Sequence, residues 1–227
     1  MTKLFRVVIA ISLLTAIIWT GASPSQPVVA ASCYSSNCRE YAVAILNNAY
    51  TYTAVHAYIE AANPGIRDGG FSSEVIWIAS SDSQNYVELG WRKTSDGSIR
   101  QYWETTVNGV SGPINWISSN SSVHDYQIEH KTSDNKWHIS VDGSEKAAVS
   151  MSFSQGWIEA GGEVTDVTNS NPPNHNAIGV AGLLSLSYMQ NHTGYYSWNG
   201  WSGSIVNSGY YLTASSGHSF QNGGYNP

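Results

Sequence analysis

The fold of this chain is decided by residues 86–106, which read YVELGWRKTSDGSIRQYWETT. The first half of this stretch alternates apolar with polar or small residues, and a period of two is the pattern of a half-buried β-strand. Asp96-Gly97 follows as a strong turn signal, and residues 99–106 return as the partner strand. The stretch therefore predicts an antiparallel hairpin with one apolar face.

The same signals recur along the chain from Tyr52 onward. Predicted strands occupy residues 52–60, 74–79, 86–92, 99–106, 125–130, 136–141, 145–153, 157–164 and 178–189. Residues 39–48 fit either a short helix or an early strand, and the tail from Ser202 is predicted to be loop with an edge strand. Closely spaced strands without helical periodicity predict an all-β, antiparallel two-sheet sandwich or jelly roll of the concanavalin-like kind.

The first residues have the pattern of an export signal. Lys3 and Arg6 precede an almost unbroken apolar run, and small residues suited to signal peptidase follow at Val29-Ala30-Ala31. Cleavage is predicted after Ala31, with Ala22 as the alternative. A membrane anchor is disfavoured because the apolar run is shorter than the ~20 residues that a spanning helix needs.

The chain is accordingly divided into three parts. Residues 1–31 are the predicted signal peptide, residues 32–49 form an N-terminal segment, and residues 50–227 form one β-domain. The protein is expected to be secreted and extracellular, without membrane association after cleavage. A monomer is expected.

The N-terminal segment contains the two cysteines of the chain, Cys33 and Cys38. In an oxidising compartment this spacing predicts a short disulfide loop. The alternative is two thiols in a frayed terminus. Neither interpretation is catalytic, and two cysteines alone cannot build a zinc site.

The charge of the chain limits its partners. The formal net charge is −6 over 227 residues, and loss of Lys3 and Arg6 with the signal would leave the remainder more acidic. No run of Lys or Arg occurs, so nucleic acid and anionic membrane surfaces are excluded as predicted partners. A surface low in charge suits an exported protein that handles extracellular polymers.

Several familiar catalytic motifs are absent from the sequence. The seven histidines show neither His-Glu-x-x-His nor His-x-His spacing, so no metal is predicted. There is no Gly-x-Ser-x-Gly elbow and no glycine loop that would cradle a phosphate before a helix. No cofactor is predicted. Carboxylates and aromatic side chains remain as the candidates for chemistry.

Two glutamates stand out because their neighbours are residues expected to be buried. Glu88 lies mid-strand between Val87 and Leu89, and Glu163 follows Gly161-Gly162. A carboxylate in an apolar strand is costly unless it is paired or opens into a groove, and a glycine pair lets a backbone or ligand approach closely. Glu159 shares the strand parity of Glu163 and is expected to be a solvent-facing charge.

The order of short blocks resembles the neprosin family of glutamic peptidases. The blocks are residues 53–60 (TAVHAYIE) with Pro64, 71–78 (FSSEVIWI), 87–91 (VELGW), 101–103 (QYW) and 161–164 (GGEV). They cover about residues 50–185, and Glu-x-Gly-Trp and Gly-Gly-Glu-Val are the most specific. The resemblance implies a two-sheet fold with Glu88 and Glu163 as the catalytic pair in a groove. The family's plant members have an N-terminal activation segment, whereas only about twenty residues separate the predicted signal from the first block, so a compact secreted relative without that segment is expected.

Such a pair would hydrolyse peptide bonds of extracellular polypeptides at acidic pH. Two neighbouring carboxylates cannot both ionise cheaply, so one holds a proton. The ionised partner activates water and the protonated one donates to the substrate. The sequence does not show which glutamate has which role, and the preferred assignment is Glu88 as base and Glu163 as acid. Trp91, Tyr102 and Trp103 are the predicted substrate-binding walls of the groove.

Two other functions fit the same residues. A jelly-roll glycoside hydrolase acting on polysaccharide would use both glutamates as acid and nucleophile. A lectin-like carbohydrate- or surface-binding module would not need the carboxylates to meet. The distance between the Glu88 and Glu163 carboxyl groups is therefore the observation that separates these hypotheses.

Overall fold

The computed structural model describes residues 38–46, 50–66, 70–166, 177–205, 209–216 and 218–224. These ranges contain sixteen β-strands and no helix. It follows that no membrane-spanning helix is found within them.

The strands are numbered in chain order. The first eight are β1 Cys38–Leu46, β2 Tyr52–Ile59, β3 Phe71–Ala79, β4 Tyr86–Thr94, β5 Ile99–Val107, β6 Val110–Ser111, β7 Asn115–Ser119 and β8 His124–Lys131. The other eight are β9 Lys136–Val141, β10 Ser144–Val149, β11 Trp157–Asp166, β12 Ile178–Gln190, β13 Tyr195–Ser197, β14 Trp201–Ile205, β15 Tyr210–Ser216 and β16 Ser219–Gly224.

The strands form two eight-stranded antiparallel sheets. The first sheet has the order β14-β1-β11-β3-β4-β5-β6, with β7 paired to β5. The second sheet has the order β10-β9-β8-β2-β12-β16-β15, with β13 paired to β12. The predicted all-β, two-sheet fold is confirmed. The 86–106 hairpin is the pair β4–β5, whose register sets Glu88 opposite Glu104.

The main core lies between the two sheets. Each strand contributes alternate residues to it, because successive side chains of a strand point to opposite faces. Trp91 and Leu89 of the first sheet and Trp137 and Ile128 of the second are fully buried there. Burial of each such side chain stabilises the fold by about 1.5–3 kcal/mol.

A second apolar cluster covers the other side of the first sheet. Its buried members are Val43, Ile45, Val75, Trp77 and Tyr102. β3 and β4 are therefore buried on both faces over most of their length. We call this side the outer face of the first sheet, and it holds the candidate site.

Two sequence expectations change. Residues 39–48 were left between helix and strand, and the structure shows strand β1, which pairs with β11 and β14. The tail beyond Ser202 was expected to be loop with an edge strand, yet it contributes to three strands, and β16 lies between β12 and β15. The tail strands were hidden by their polar, glycine-rich composition, and β1 was hidden because its partners β11 and β14 lie far away in sequence.

Some expectations fall outside the described part of the chain. The predicted signal peptide, residues 1–31, lies there, and so do Cys33 and the side chain of Cys38. The export signal and the disulfide loop stay predictions.

Candidate functional site

Glu88 and Glu163 lie on the outer face of the first sheet, on strands that β3 separates. Glu88 of β4 is opposite Trp77 of β3, and Glu163 of β11 is opposite Ser73 of β3. Trp77 and Ser73 are four residues apart in one strand, so their side chains point to the same side. The sheet therefore places both glutamates on its outer face.

Arg92 connects the two carboxyl groups. Its Nη2 atom is 3.3 Å from Glu88 Oε1 and 4.0 Å from Glu163 Oε2. The same nitrogen is 4.0 Å from Glu104 Oε2, and the guanidinium stacks on Phe71, 3.8 Å from the ring centroid. Among the described residues no hydrogen bond joins the two carboxyl groups directly. They meet around a guanidinium, whereas the sequence hypothesis had them split one proton.

Glu88 is held by three donors. The Trp77 indole donates to Oε2 at 3.0 Å, and the Tyr102 hydroxyl donates to Oε1 at 2.7 Å. Arg92 donates to Oε1 at 3.3 Å and also to the Tyr102 oxygen at 3.0 Å. The side chain is almost fully buried. Donors of this kind stabilise the negative charge of a carboxylate and fix its orientation.

Glu163 has one strong partner and one open oxygen. Arg39 Nη1 donates to Oε1 at 2.8 Å, whereas Oε2 accepts no hydrogen bond from the described residues. Burial raises the pKa of Glu163, the positive charge of Arg39 opposes this, and the negative charge of Glu88 adds to it. Glu163 is 1% exposed and Arg39 34% exposed, so the ion pair reaches solvent through the arginine.

Two further glutamates share this face. Burial raises the pKa of Glu159 to about 8, and Glu163 contributes to the shift. The Glu104 pKa is also raised, first by burial and then by Glu88. Glu159 was expected to face solvent. It is buried instead, because other side chains cover the outer face of the first sheet. Strand parity shows which face a residue is on, but not whether that face is exposed.

The site contains more carboxyl groups than positive charges, which favours protonation of some of the carboxyl groups. Among the described residues it contains four carboxyl groups, on Glu88, Glu104, Glu159 and Glu163, and two guanidinium groups, on Arg39 and Arg92. Uncompensated negative charge is expensive in a buried site. Two arginines offset two carboxylates, so the other two carboxyl groups favour the protonated form. Protonated and ionised carboxyl groups therefore coexist here.

Glycines allow the strands of the site to approach closely. A Cβ on Gly90 would lie 2.0 Å from the Glu74 backbone oxygen on β3. A Cβ on Gly161, whose φ is +150°, would lie 2.3 Å from the Ala42 oxygen on β1. These glycines belong to the Glu-x-Gly-Trp and Gly-Gly-Glu-Val blocks. Both blocks thus combine a carboxylate with the close approach of a neighbouring strand.

The predicted aromatic walls are placed differently from the expectation. Trp91 and Trp103 point to the opposite face, where both pack with the main core. Strand parity separates them from Glu88, so neither lines the site. Tyr102 does lie beside Glu88, but it is fully buried and acts as a hydrogen-bond partner of the carboxylate. The exposed aromatic near it is Trp116, with ring centroids 5.9 Å apart.

The sequence reasoning missed Arg39, Arg92 and Glu104. Arg92 carried a readable signal, because it lies four residues after Glu88 in one strand and so shares its face. Glu104 could have been found from the register of the Asp96-Gly97 hairpin. Arg39 could not, since its segment fitted helix and strand equally. Within the described ranges, no three His, Cys, Asp or Glu side chains come together as metal ligands.

Comparison with solved structures defines the class of fold. The chain is similar to scytalido-glutamic peptidase, solved with a transition state analog inhibitor, at a TM-score of 0.59 and 14% identity over 84% of this chain and 100% of that chain. It is also similar to SCP-B, a member of the eqolisin family of peptidases in a complex with a tripeptide, at a TM-score of 0.53 and 13% identity over 84% and 98%. The chain has a glutamic-peptidase-like β-sandwich.

Sequence comparison adds no closer relative. No protein-family model and no curated protein matches the chain. The resemblance to the neprosin family therefore rests on its short motifs.

Proposed function

We propose that this protein is a glutamic-type peptidase in which Glu88 and Glu163 are the catalytic groups. The observation that carries the proposal is that one atom, Arg92 Nη2, lies within 4.0 Å of a carboxylate oxygen from each. The two oxygens can be no further apart than the sum of those distances. The two carboxyl groups are therefore close enough to act on one peptide bond.

The division of labour follows from the partners of each carboxylate. Glu88, oriented by its three donors, takes a proton from water as the water oxygen attacks the peptide carbonyl carbon. Glu163, protonated on its open Oε2, donates to the carbonyl oxygen. Collapse of the tetrahedral species breaks the carbon–nitrogen bond, the proton held by Glu88 passes to the leaving nitrogen, and one hydroxyl proton of the tetrahedral species returns to Glu163. Arg92 stabilises the negative charge that develops on oxygen.

This mechanism requires acidic pH. The acid must be protonated, and protonation of Glu163 removes the charge that Arg39 binds, so the arginine is freed to leave the site open. A carboxyl group acts as a general base only when it is ionised, so the reaction also has a lower pH limit. Activity is therefore expected to pass through a maximum below neutral pH and to fall on both sides.

A polypeptide is the proposed substrate, and the proposed setting is extracellular. The Glu-x-Gly-Trp and Gly-Gly-Glu-Val blocks, which resemble those of the neprosin family, support peptide hydrolysis. The peptidase folds to which this structure is similar support the same reaction class. Residues 1–31 support export.

The test is hydrolysis of an acid-unfolded protein between pH 2 and 7, followed by the release of new amino termini. Glu88→Gln and Glu163→Gln keep the size of each side chain and remove its acid–base chemistry. Each is expected to lower the rate by about 100-fold or more, the usual contribution of a positioned acid or base. Glu145→Gln on the exposed hairpin is the matched control and should keep the parent rate.

Circular dichroism and thermal unfolding must show that each variant retains the fold. If either folded variant cleaves near the parent rate, the assignment of that glutamate is overturned. A parent protein without acid-dependent cleavage of unfolded chains overturns the proposed function itself.

A further inference from the structure

The outer face of the second sheet, on the other side of the molecule, brings a serine, a histidine and an aspartate together. His56 of β2 is directly opposite Ser187 of β12. On its other side, β2 pairs with β8, which sets Asp125 opposite Tyr58. His56 and Tyr58 are two residues apart in one strand, so all these side chains share one face.

The distances match those of a nucleophile, its base and an orienting acid. Ser187 Oγ is 3.1 Å from His56 Nδ1, and His56 Nε2 is 2.6 Å from Asp125 Oδ1. That aspartate oxygen accepts no hydrogen bond from the described residues, so its contact with Nε2 is electrostatic. The negative charge of Asp125 favours a proton on Nε2, which leaves Nδ1 as the acceptor for the serine hydroxyl.

An open cavity of about 330 Å³ lies over these groups, lined by His56, Gln127, Ser187 and Tyr195. The volume is in the range of small-molecule sites. Gln127 Nε2 donates to the Tyr195 hydroxyl and, at 2.9 Å, to Glu129 Oε2. Burial and the nearby Glu129 charge raise the pKa of Tyr195. Its hydroxyl therefore keeps its proton, and its hydrogen bond to Glu129 also raises the pKa.

We propose that Ser187, His56 and Asp125 form a second hydrolytic site, which accepts small acyl esters. Ser187 Oγ attacks the ester carbonyl carbon while its proton moves to His56 Nδ1. The carbonyl oxygen becomes an oxyanion in the cavity that Tyr195 lines. The carbon–alkoxy bond then breaks, the leaving alcohol takes the proton from His56, and water releases the acid from Ser187 by the same steps in reverse.

A second trio provides an internal comparison. Ser122 Oγ is 3.2 Å from His124 Nε2, and His124 Nδ1 is 2.7 Å from Asp142 Oδ2. Ser122 and Asp142 are exposed, so water competes for every group and leaves no sheltered place for an acyl group. If the cavity matters, Ser187 reacts and Ser122 does not.

The test uses an alkyl fluorophosphonate on the whole protein at pH 7.5. The serine oxygen bonds to phosphorus, fluoride leaves, and the imidazole takes the proton. Peptide mass spectrometry then locates the label. The expected result is one label on Ser187, together with hydrolysis of p-nitrophenyl acetate that Ser187→Ala abolishes.

Variants separate activation from chance exposure. His56→Gln is expected to slow labelling by about 100-fold or more, since it removes the base. Ser140→Ala, on the strand beyond Gln127, is the matched control and should label at the parent rate. An unlabelled parent protein, a label on Ser122 alone, or equal labelling of the His56→Gln variant would each overturn the proposal.

Discussion

A buried glutamate between the two sheets shows how one residue can make the stability of the fold depend on pH. Glu74 is fully buried, and burial raises its pKa well above the ordinary value, although the hydrogen bond from Asn222 opposes the shift. Asn222 Nδ2 donates to Glu74 Oε2 at 2.7 Å and to the Ala42 oxygen at 3.2 Å. Glu74 Oε1 and Asn222 Oδ1 have no partner in the described ranges. A protonated Glu74 supplies the donor that this acid–amide pair lacks.

Glu74→Gln is expected to stabilise the protein at pH 8. The raised pKa means that the folded protein holds a proton that the unfolded chain releases above about pH 4.5, so folding free energy is lost as pH rises. Glutamine keeps the shape and the donor without that loss. The gain should exceed about 1.4 kcal/mol, the equivalent of one pKa unit, in urea unfolding at pH 8. At pH 4 the two proteins should differ little, and an equal difference at both pH values would contradict the explanation.

The residues of the candidate site were only partly predictable. Glu88 and Glu163 emerged because a carboxylate among apolar neighbours is a local signal. Their arrangement around Arg92 depends on the order β11-β3-β4, and β11 lies far from the other two in sequence. Trp91 was predicted as a wall of the groove, but strand parity puts it on the other face of the sheet from Glu88, in the main core.

At the scale of elements, the β8–β9–β10 meander contains a pH-dependent set of contacts between a histidine and two acids. His138 of β9 contacts Glu145 of β10 at 2.8 Å and Asp134 of the preceding turn at 3.1 Å. Burial lowers the His138 pKa, but the hydrogen bonds that His138 donates to Glu145 and Asp134 outweigh it, so the pKa is raised. The same hydrogen bonds lower the pKa of both acids. The charged trio thus joins three consecutive structural pieces.

His138→Gln is expected to destabilise the protein chiefly between about pH 4.5 and 6.5. The raised histidine pKa stabilises the fold below the unfolded value near 6.5, and this is lost as pH rises. The lowered acid pKa values stabilise it above their unfolded values near 4, and this is lost as pH falls. Melting temperatures measured from pH 3 to 8 should diverge from the parent within that window. His218→Gln, at an exposed histidine, is the control. A difference in melting temperature between His138→Gln and the parent that stays constant from pH 3 to 8 would refute this explanation.

Elements were predictable where the pattern was local. The β4–β5 and β8–β9 hairpins follow from apolar alternation and turn residues within about twenty positions. β1 and β14 did not, because their partners lie far away in sequence, and β16 did not, because most of its residues are small or polar. Sequence periodicity measures which face of a strand is apolar, but it cannot measure which other strand pairs with it.

For the whole molecule, buried and exposed carboxyl groups have opposite effects on how stability changes with pH. Burial raises the pKa of four glutamates, and hydrogen bonds lower the pKa of five surface acids. The raised group is Glu74, Glu104, Glu159 and Glu163, and the lowered group is Asp82, Asp96, Asp134, Asp142 and Glu145. The first set favours folding at low pH, and the second favours it above about pH 4.

The stability maximum should therefore lie at mildly acidic pH, near pH 4–5, which is lower than the usual range of about 5–8. Above it, the folded state retains protons that the unfolded chain has released, so the free energy of unfolding falls as pH rises. His130, whose pKa is lowered by burial, opposes this slope as a single group. Urea unfolding should give at least about 1.4 kcal/mol more stability at pH 5 than at pH 8.

Glu159→Gln should flatten the curve of unfolding free energy against pH up to about pH 8, where that carboxyl titrates. A parent curve that is level or rises from pH 5 to 8 would show that these carboxyl groups are not protonated in the folded protein. Since an acid–base pair needs one protonated member, that result would also remove the physical basis for a glutamic peptidase at this site.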